Sequence, residues 1–133
     1  MADRGLAQVQ ARGRSFAHEV KATVRLAAEA EDQAAEAQAW WVANRPLAPG
    51  LFANELLAAI DLLTHMPRVG QRYRVRGVPG LRRMLLPRTR YHVYYTHDPE
   101  ARLVVVVAVW GAVRGHGPPL RRRRHRGPRK RPG

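Results

Sequence analysis

The side chains that could do chemistry lie in the second half of the sequence and are arginine, histidine and tyrosine. Arg82, Arg90, His92, Tyr94 and Arg114 lie on or beside predicted strands. Arginine guanidinium groups bind phosphates and stabilise transition-state charge, and a histidine can transfer a proton. The same residues could instead dock an acidic partner without any reaction. Docking is favoured, because arginine transfers protons poorly at neutral pH.

Other kinds of chemistry lack the residues they need. Cysteine is absent, which excludes disulfide frameworks, thiolate zinc sites and cysteine nucleophiles. Ser15 is the only serine and lies outside any G-x-S-x-G motif, and no phosphate-binding G-x-x-x-x-G-K loop occurs. The six histidines are not spaced as paired metal ligands. The sequence therefore predicts no metal site and no cofactor.

The charge is strongly positive and unevenly distributed. The formal net charge is +14, and eight of the 24 basic residues lie in residues 121–133 without an acid. Residues 62–114 hold ten arginines against two acids, whereas residues 19–61 hold three basic and seven acidic residues. A basic field of this size attracts polyanions, so an anionic partner is expected, either nucleic acid or an acidic protein segment.

Periodicity predicts the elements that position these side chains. Alternation predicts a strand at 19–26, and apolar stripes at helical spacing predict helices at 27–44 and 51–65. Three further strands are predicted at 81–86, 91–97 and 103–110. The fold class is α+β, in the order strand, helix, helix, three strands. The helical hairpin should pack on one face of a small, largely antiparallel sheet, and the other face should carry much of the arginine.

Composition divides the chain into three parts. Residues 1–18 lack a sustained period and predict a flexible N-terminal arm, and residues 19–120 form the domain. Residues 121–133 are rich in arginine, glycine and proline and predict a disordered basic tail. No apolar run reaches the roughly 18 residues of a membrane helix, and no secretion signal is apparent. We therefore expect a cytoplasmic protein without a membrane partner.

Several motifs together resemble the ParE/RelE toxins of bacterial type II toxin–antitoxin (plasmid stabilisation) systems. The resemblance covers roughly residues 20–120. Its parts are the opening strand, Trp40-Trp41, the P-x-x-G of residues 67–70, the arginines that open the 81–86 strand, the Y-x-V-x-Y strand of 91–95, and an apolar last strand followed by Arg114. The strand–helix–helix–three-strand order agrees with the fold of that family.

The resemblance implies a toxin that a cognate antitoxin neutralises, with one of two targets. ParE-like members inhibit DNA gyrase and need no hydrolytic site, whereas RelE-like members cleave messenger RNA on the ribosome. RelE-like members often use a tyrosine near the C-terminus, and no tyrosine follows Tyr95 here. The ParE-like activity is therefore favoured, and whether the protein is an enzyme stays open. A basic protein that binds nucleic acid without catalysis is a further alternative.

The resemblance and the placement on strands together select the candidate site residues. The catalytic candidates, for a RelE-like activity only, are Arg82, His92 and Arg114. The binding candidates are Arg82, Arg83, Arg90, Tyr94, Arg114 and His116. The basic tail is not part of the family pattern and could add non-specific contact with nucleic acid.

Overall fold

The computed structural model describes residues 21–120. The predicted arm of residues 1–18 and the predicted tail of residues 121–133 lie outside them, so both stay predictions. In chain order the elements are β1 (Thr23–Leu26), α1 (Ala28–Asn44), α2 (Leu51–His65), β2 (Gln71–Arg72), β3 (Arg82–Leu86), β4 (Tyr91–Asp98), β5 (Leu103–Gly111) and a 3-10 turn (Ala112–Arg114).

The strands form one mixed sheet with the order β1-β5-β4-β3-β2. β1 runs parallel to β5, and the other neighbouring strands are antiparallel. This confirms the α+β class and the helical hairpin on a largely antiparallel sheet. The structure adds a fourth strand after the helices, because Gln71 and Arg72 pair with Arg83 and Arg82. Beyond Arg72 the chain no longer pairs with β3, so β2 has only two residues.

The two helices bury the predicted stripes against one face of the sheet. Ala30, Ala37 and Trp41 of α1 are buried, and so are Phe52 and Leu63 of α2. Small alanines let α1 lie close to the sheet, while the larger apolar side chains of α2 fill the space beside it. Each helix ends just before an X-Pro pair, because proline disfavours helical backbone in the residue before it.

A β-bulge in β5 decides which of its side chains face the helices. Tyr94 pairs with Ala108 but Tyr95 pairs with Val106, so Val107 is the extra residue. After the bulge, Val109 packs in the helix-side core, and Trp110 packs on the other face. The apolar run thus forms a central strand, as predicted, but its alternation changes phase at Val107.

The face of the sheet away from the helices, here called the open face, carries a second and smaller apolar cluster. Its buried members are Val78, Leu81, Tyr94 and Ala108. No helix residue belongs to this cluster. Its cover is instead the irregular segment 73–81, with Leu120 from the C-terminal segment packed against the cluster. Side chains between these covers are accessible on a rigid sheet, which makes the open face the candidate site.

Candidate functional site

A row of arginine and aromatic side chains crosses the open face and defines the candidate site. We call this set the arginine–aromatic row. Its members, from β5 towards the sheet edge at β2, are Arg114, Trp110, His92, Tyr94, Arg83 and Tyr73. They come from four separate parts of the chain, so only the folded sheet assembles them.

Short ring contacts join neighbouring members of the row. The Arg114 guanidinium lies 4.3 Å from the Trp110 ring centroid, and the Arg83 guanidinium lies 4.5 Å from that of Tyr73. His92 pairs with Trp110 across the β4–β5 ladder, and its ring lies 5.9 Å from that of Tyr94. A cation over an aromatic face is held by the ring quadrupole, so both arginines have a fixed place on the surface.

Tyr94 lies at the centre of the row but is closed off from solvent. It is only 2% exposed, and its hydroxyl accepts a hydrogen bond from Nη1 of Arg83 at 3.3 Å. The ring of Tyr73 packs edge-on against it at 5.1 Å. Tyr94 shares a face with His92, as the alternation of β4 predicts. Segment 73–81 covers it, however, so it supports Arg83 and does not itself present a hydroxyl to a partner.

His92 is the titratable group of the row. It is half-buried, and burial lowers the pKa of its imidazole. The positive charges of Arg83 and Arg90 lower the pKa further, because each disfavours a second cation nearby. At neutral pH the imidazole is therefore uncharged and keeps one nitrogen free to accept a proton.

Arg82 lies on the opposite face from the row, although it is next to Arg83 in sequence. Met84 and Leu86, two and four residues further along β3, pack towards the helices. Because alternate residues of a strand point to the same face, Arg82 points to the helix side and Arg83 points to the open face. Nη1 of Arg82 donates to the carbonyl oxygens of Gly70 at 2.7 Å and Arg68 at 3.1 Å. The structure thus gives Arg82 a contact that holds the loop after α2 and does not bring it to the other candidate residues.

Arg90 and His116 both contact the segment of residues 110–114, which ends at Arg114. Arg90 is exposed at the tight turn between β3 and β4, with a φ of 66°, and its carbonyl accepts a hydrogen bond from the N–H of Ala112 at 2.8 Å. The carbonyl of His116 accepts from Nε1 of Trp110 at 2.9 Å, and its exposed ring lies 5.9 Å from the Trp110 ring. Arg83, His92, Tyr94, Arg114 and His116 are therefore all on the open face.

Beside the row, the open face carries an apolar groove of about 430 Å³. Its floor includes Leu103 and Val105 of β5 and Thr96 of β4, and segment 77–79 forms one wall. His97 and Asp98 at the end of β4 complete the lining. Arg25 is exposed beside this region, since it pairs with Val105 across the β1–β5 ladder. An apolar floor next to positive charge suits an amphipathic acidic segment.

Tyr73 and Trp110 were not among the predicted site residues. Trp110 packs beneath Arg114. The signal for Trp110 is its cross-strand position opposite His92, which becomes visible only when the bulge in β5 is known. The sequence signal for Tyr73 is the alternation around it. Arg72 and Arg74 on either side are exposed, so the tyrosine between them points inwards.

Two further observations concern residues 21–120 alone. Within this range, no group of three or more histidine, aspartate or glutamate side chains could hold a metal ion. No helix in the same part of the chain combines the length and the apolar character that spanning a membrane requires.

The fold and the site together define a class of protein: a two-layer α+β domain with a basic open face. The family model for the ParE toxin of the type II toxin–antitoxin system parDE matches residues 24–114. This match covers more than half of the sequence. The chain therefore belongs to the ParE toxin family of type II toxin–antitoxin systems.

Solved structures show the same fold in two related systems. One chain from the chromosomal ParDE toxin–antitoxin system of P. aeruginosa superposes with a TM-score of 0.57 at 12% identity, over 69% of this chain and 97% of that one. One chain from the toxin–antitoxin complex RelBE2 of Mycobacterium tuberculosis has a TM-score of 0.50 at 24% identity, over 69% and 93%. At such identities the likeness concerns the fold alone. No curated protein sequence matches the chain.

Proposed function

We propose that this toxin inhibits DNA gyrase in the cytoplasm, without hydrolysing a substrate, and that a cognate antitoxin neutralises it. The observation that carries the proposal is the ParE family match over residues 24–114. ParE-like toxins, unlike RelE-like ones, need no hydrolytic site. The side chains of the open face agree with such binding, because they offer fixed cations and aromatic rings.

The chemistry of the row favours binding over hydrolysis. The hydroxyl of Tyr94 is buried under Arg83, so it is not placed to transfer a proton to a bound substrate. Arg83 and Arg114 are held over aromatic rings, and a guanidinium group is a poor proton-transfer group. His92 is the one histidine of the row, so hydrolysis would need this single side chain to act in turn as base and as acid.

The apolar groove and its basic surroundings support a partner that is an acidic, amphipathic protein segment. Leu103 and Val105 would take apolar side chains of that segment, and Arg25 would pair with its acids. Such a segment gains affinity by folding on the surface it binds. The two solved structures described above come from toxin–antitoxin systems, which supports the same class of partner.

Growth after induced expression of the full chain tests the proposal. We expect arrest, inhibition of supercoiling by purified gyrase, and rescue by the antitoxin gene encoded beside the toxin. Val105→Glu places a negative charge in the groove and should weaken rescue while the chain still arrests growth. Arrest without any effect on supercoiling contradicts gyrase as the target. Unimpaired growth with soluble, folded protein contradicts the toxin activity itself.

A RelE-like cleavage of messenger RNA on the ribosome is the second candidate function. The observation that favours it is the uncharged imidazole of His92 beside the cations of Arg83 and Arg90. Cations there could hold a phosphate while His92 accepts a proton from the attacking hydroxyl. Primer extension on ribosome-bound messenger RNA separates the two candidates. Cleavage that His92→Ala abolishes, with supercoiling unaffected, would select the RelE-like function.

A further inference from the structure

We propose that the exposed arginines of segment 72–76 bind the phosphate backbone of a nucleic-acid duplex, at a surface separate from the arginine–aromatic row. Arg72, Arg74 and Arg76 alternate with Tyr73 and Val75. The three arginines are exposed, while the tyrosine and the valine turn inwards onto the open-face cluster. We call the three exposed side chains the arginine ladder.

The backbone under the ladder is held in place before any partner binds. The N–H of Tyr73 donates to the carbonyl of Leu81 at 3.0 Å, which closes the segment at its base. The N–H of Val78 donates to the carbonyl of Val75 at 3.1 Å, and Gly77 supplies the φ of 84° that this tight turn needs. A rigid backbone lowers the entropy lost when the arginines engage a partner.

The spacing and charge of the ladder suit a row of phosphates. Side chains two residues apart on an extended stretch, as for Arg72 and Arg74, lie about 6.5 Å apart, close to the separation of successive phosphates along one strand. Arg76 follows at the tight turn closed by Val75 and Val78. Residues 62–114 contain only Asp98 and Glu100 as acids. The Oδ1 atom of Asp98 already accepts hydrogen bonds from the N–H groups of Glu100 and Ala101. The positive field of the ladder is therefore little compensated within its own half of the chain.

The residues between the arginines, Tyr73 and Val75, are half-buried against the open-face cluster, and this favours a duplex over other polyanions. An acidic peptide binds tightly through buried aromatic or apolar anchors as well as charge. A single strand binds through bases that stack on exposed aromatic rings. The ladder offers neither, because the ring of Tyr73 is occupied by Arg83 and Tyr94. A cluster of exposed positive charges without such anchors is typical of contact with a duplex backbone.

This surface does not depend on the proposed target of the toxin. Arg72, Arg74 and Arg76 are not among the residues that line the apolar groove, where the antitoxin segment is proposed to bind. A failure of gyrase inhibition would leave the duplex contact standing, and a failure of duplex binding would leave the toxin activity standing.

Salt-dependent binding of a labelled DNA duplex of arbitrary sequence to the full chain tests the ladder. The test variant is Arg72→Gln with Arg74→Gln and Arg76→Gln. Each phosphate contact contributes about 0.9 to the slope of log affinity against log salt, so the slope should fall by about 2 to 3. Affinity at moderate salt should fall by at least about tenfold. The basic tail is present in every protein compared, so it cannot cause the difference.

A matched control carries the same loss of charge elsewhere. It combines Lys21→Gln, Arg88→Gln and Arg102→Gln, which are exposed positions on other parts of the fold. Its slope should change by less than about 1. Equal effects of the two triple variants would overturn the proposal, because bulk charge would then explain the binding. Loss of binding to a labelled polyglutamate peptide, with duplex binding intact, would overturn it in favour of an acidic protein partner.

Folding is checked separately in the same proteins. All six substituted side chains are exposed, so both triple variants should keep the urea midpoint and circular dichroism of the unsubstituted chain. If the ladder variant proves unstable, Arg74→Gln alone should still lower the slope by about 1. An unchanged slope in this stable single variant would overturn the role of the central arginine and with it the ladder.

Discussion

Replacing Tyr95 with phenylalanine removes one hydroxyl from the helix-side core, and we expect it to destabilise the domain by about 1–3 kcal/mol. The side chain has no solvent exposure, and its hydroxyl accepts a hydrogen bond from the N–H of Gly70 at 2.8 Å. Gly70 is itself buried. Phenylalanine leaves that N–H without an acceptor and without access to water, so the cost is that of an unsatisfied buried donor.

The same estimate converts into measurable shifts. For a folded unit of about 100 residues, each kcal/mol lowers the melting temperature by roughly 4 °C, so a fall of about 4–12 °C is expected. Urea unfolding followed by tryptophan fluorescence should show a lower midpoint at an unchanged slope. Tyr91→Phe on the same strand is the control. Tyr91 is only half-buried, so loss of its hydroxyl should change stability by less than about 0.5 kcal/mol.

A stability of Tyr95→Phe within about 0.5 kcal/mol of the unsubstituted chain would refute the reasoning, because the buried donor would then have another partner. Gly70→Ala provides a second check. A Cβ at Gly70 would lie 2.7 Å from the Tyr95 hydroxyl and 2.8 Å from the backbone oxygen of Arg83. Removing the hydroxyl relieves only the first clash, so the double variant should lose less stability than the sum of the two single variants.

Two further predictions concern side chains that satisfy backbone groups. Burial opposes ionisation of Glu55, but hydrogen bonds from the Arg88 N–H and from the N–H and hydroxyl of Thr89 hold its pKa below the usual value. The stability that Glu55 contributes is fully present above its pKa in the unfolded chain, about 4.3. It is lost as the pH falls through the pKa of Glu55 in the folded protein. Glu55→Gln should therefore lower the urea midpoint more at neutral pH than in acid; equal losses would contradict this. Gln33→Ala removes the acceptor of the buried Val109 N–H, at 2.7 Å, and should cost about 1–2 kcal/mol by urea unfolding; no loss would show that water replaces the amide.

Periodicity was sufficient to predict the elements whose two faces differ. The stripe that contains Phe52 and Leu63 placed α2 correctly, and the alternation from Tyr91 to Tyr95 predicted which residues of β4 share a face. In each case one face meets the core and the other does not, so the pattern in the sequence follows the packing directly.

The parts that could not be predicted lack such a contrast. Val104 to Val107 are all valine, so no alternation marks the bulge that changes the phase of β5. The neighbours of Arg82 and Arg83 on β3 are apolar on both faces, so the sequence does not show which of the two arginines lies on the helix side. The burial of Tyr94 depends on segment 73–81 crossing the open face, which is a tertiary contact without a local signal.

The parallel pairing of β1 with β5 has a consequence for synthesis. Thr23 near the start of the domain pairs with Leu103 near its end, and Trp110 and Arg114 of the row are made later still. At roughly 5–20 residues per second, a ribosome needs several seconds between translating the two strands. During that time β1 lacks its parallel neighbour and the row lacks its last two members. A nascent or truncated chain therefore carries no assembled surface, and the protein acquires its binding face only as translation of the domain finishes.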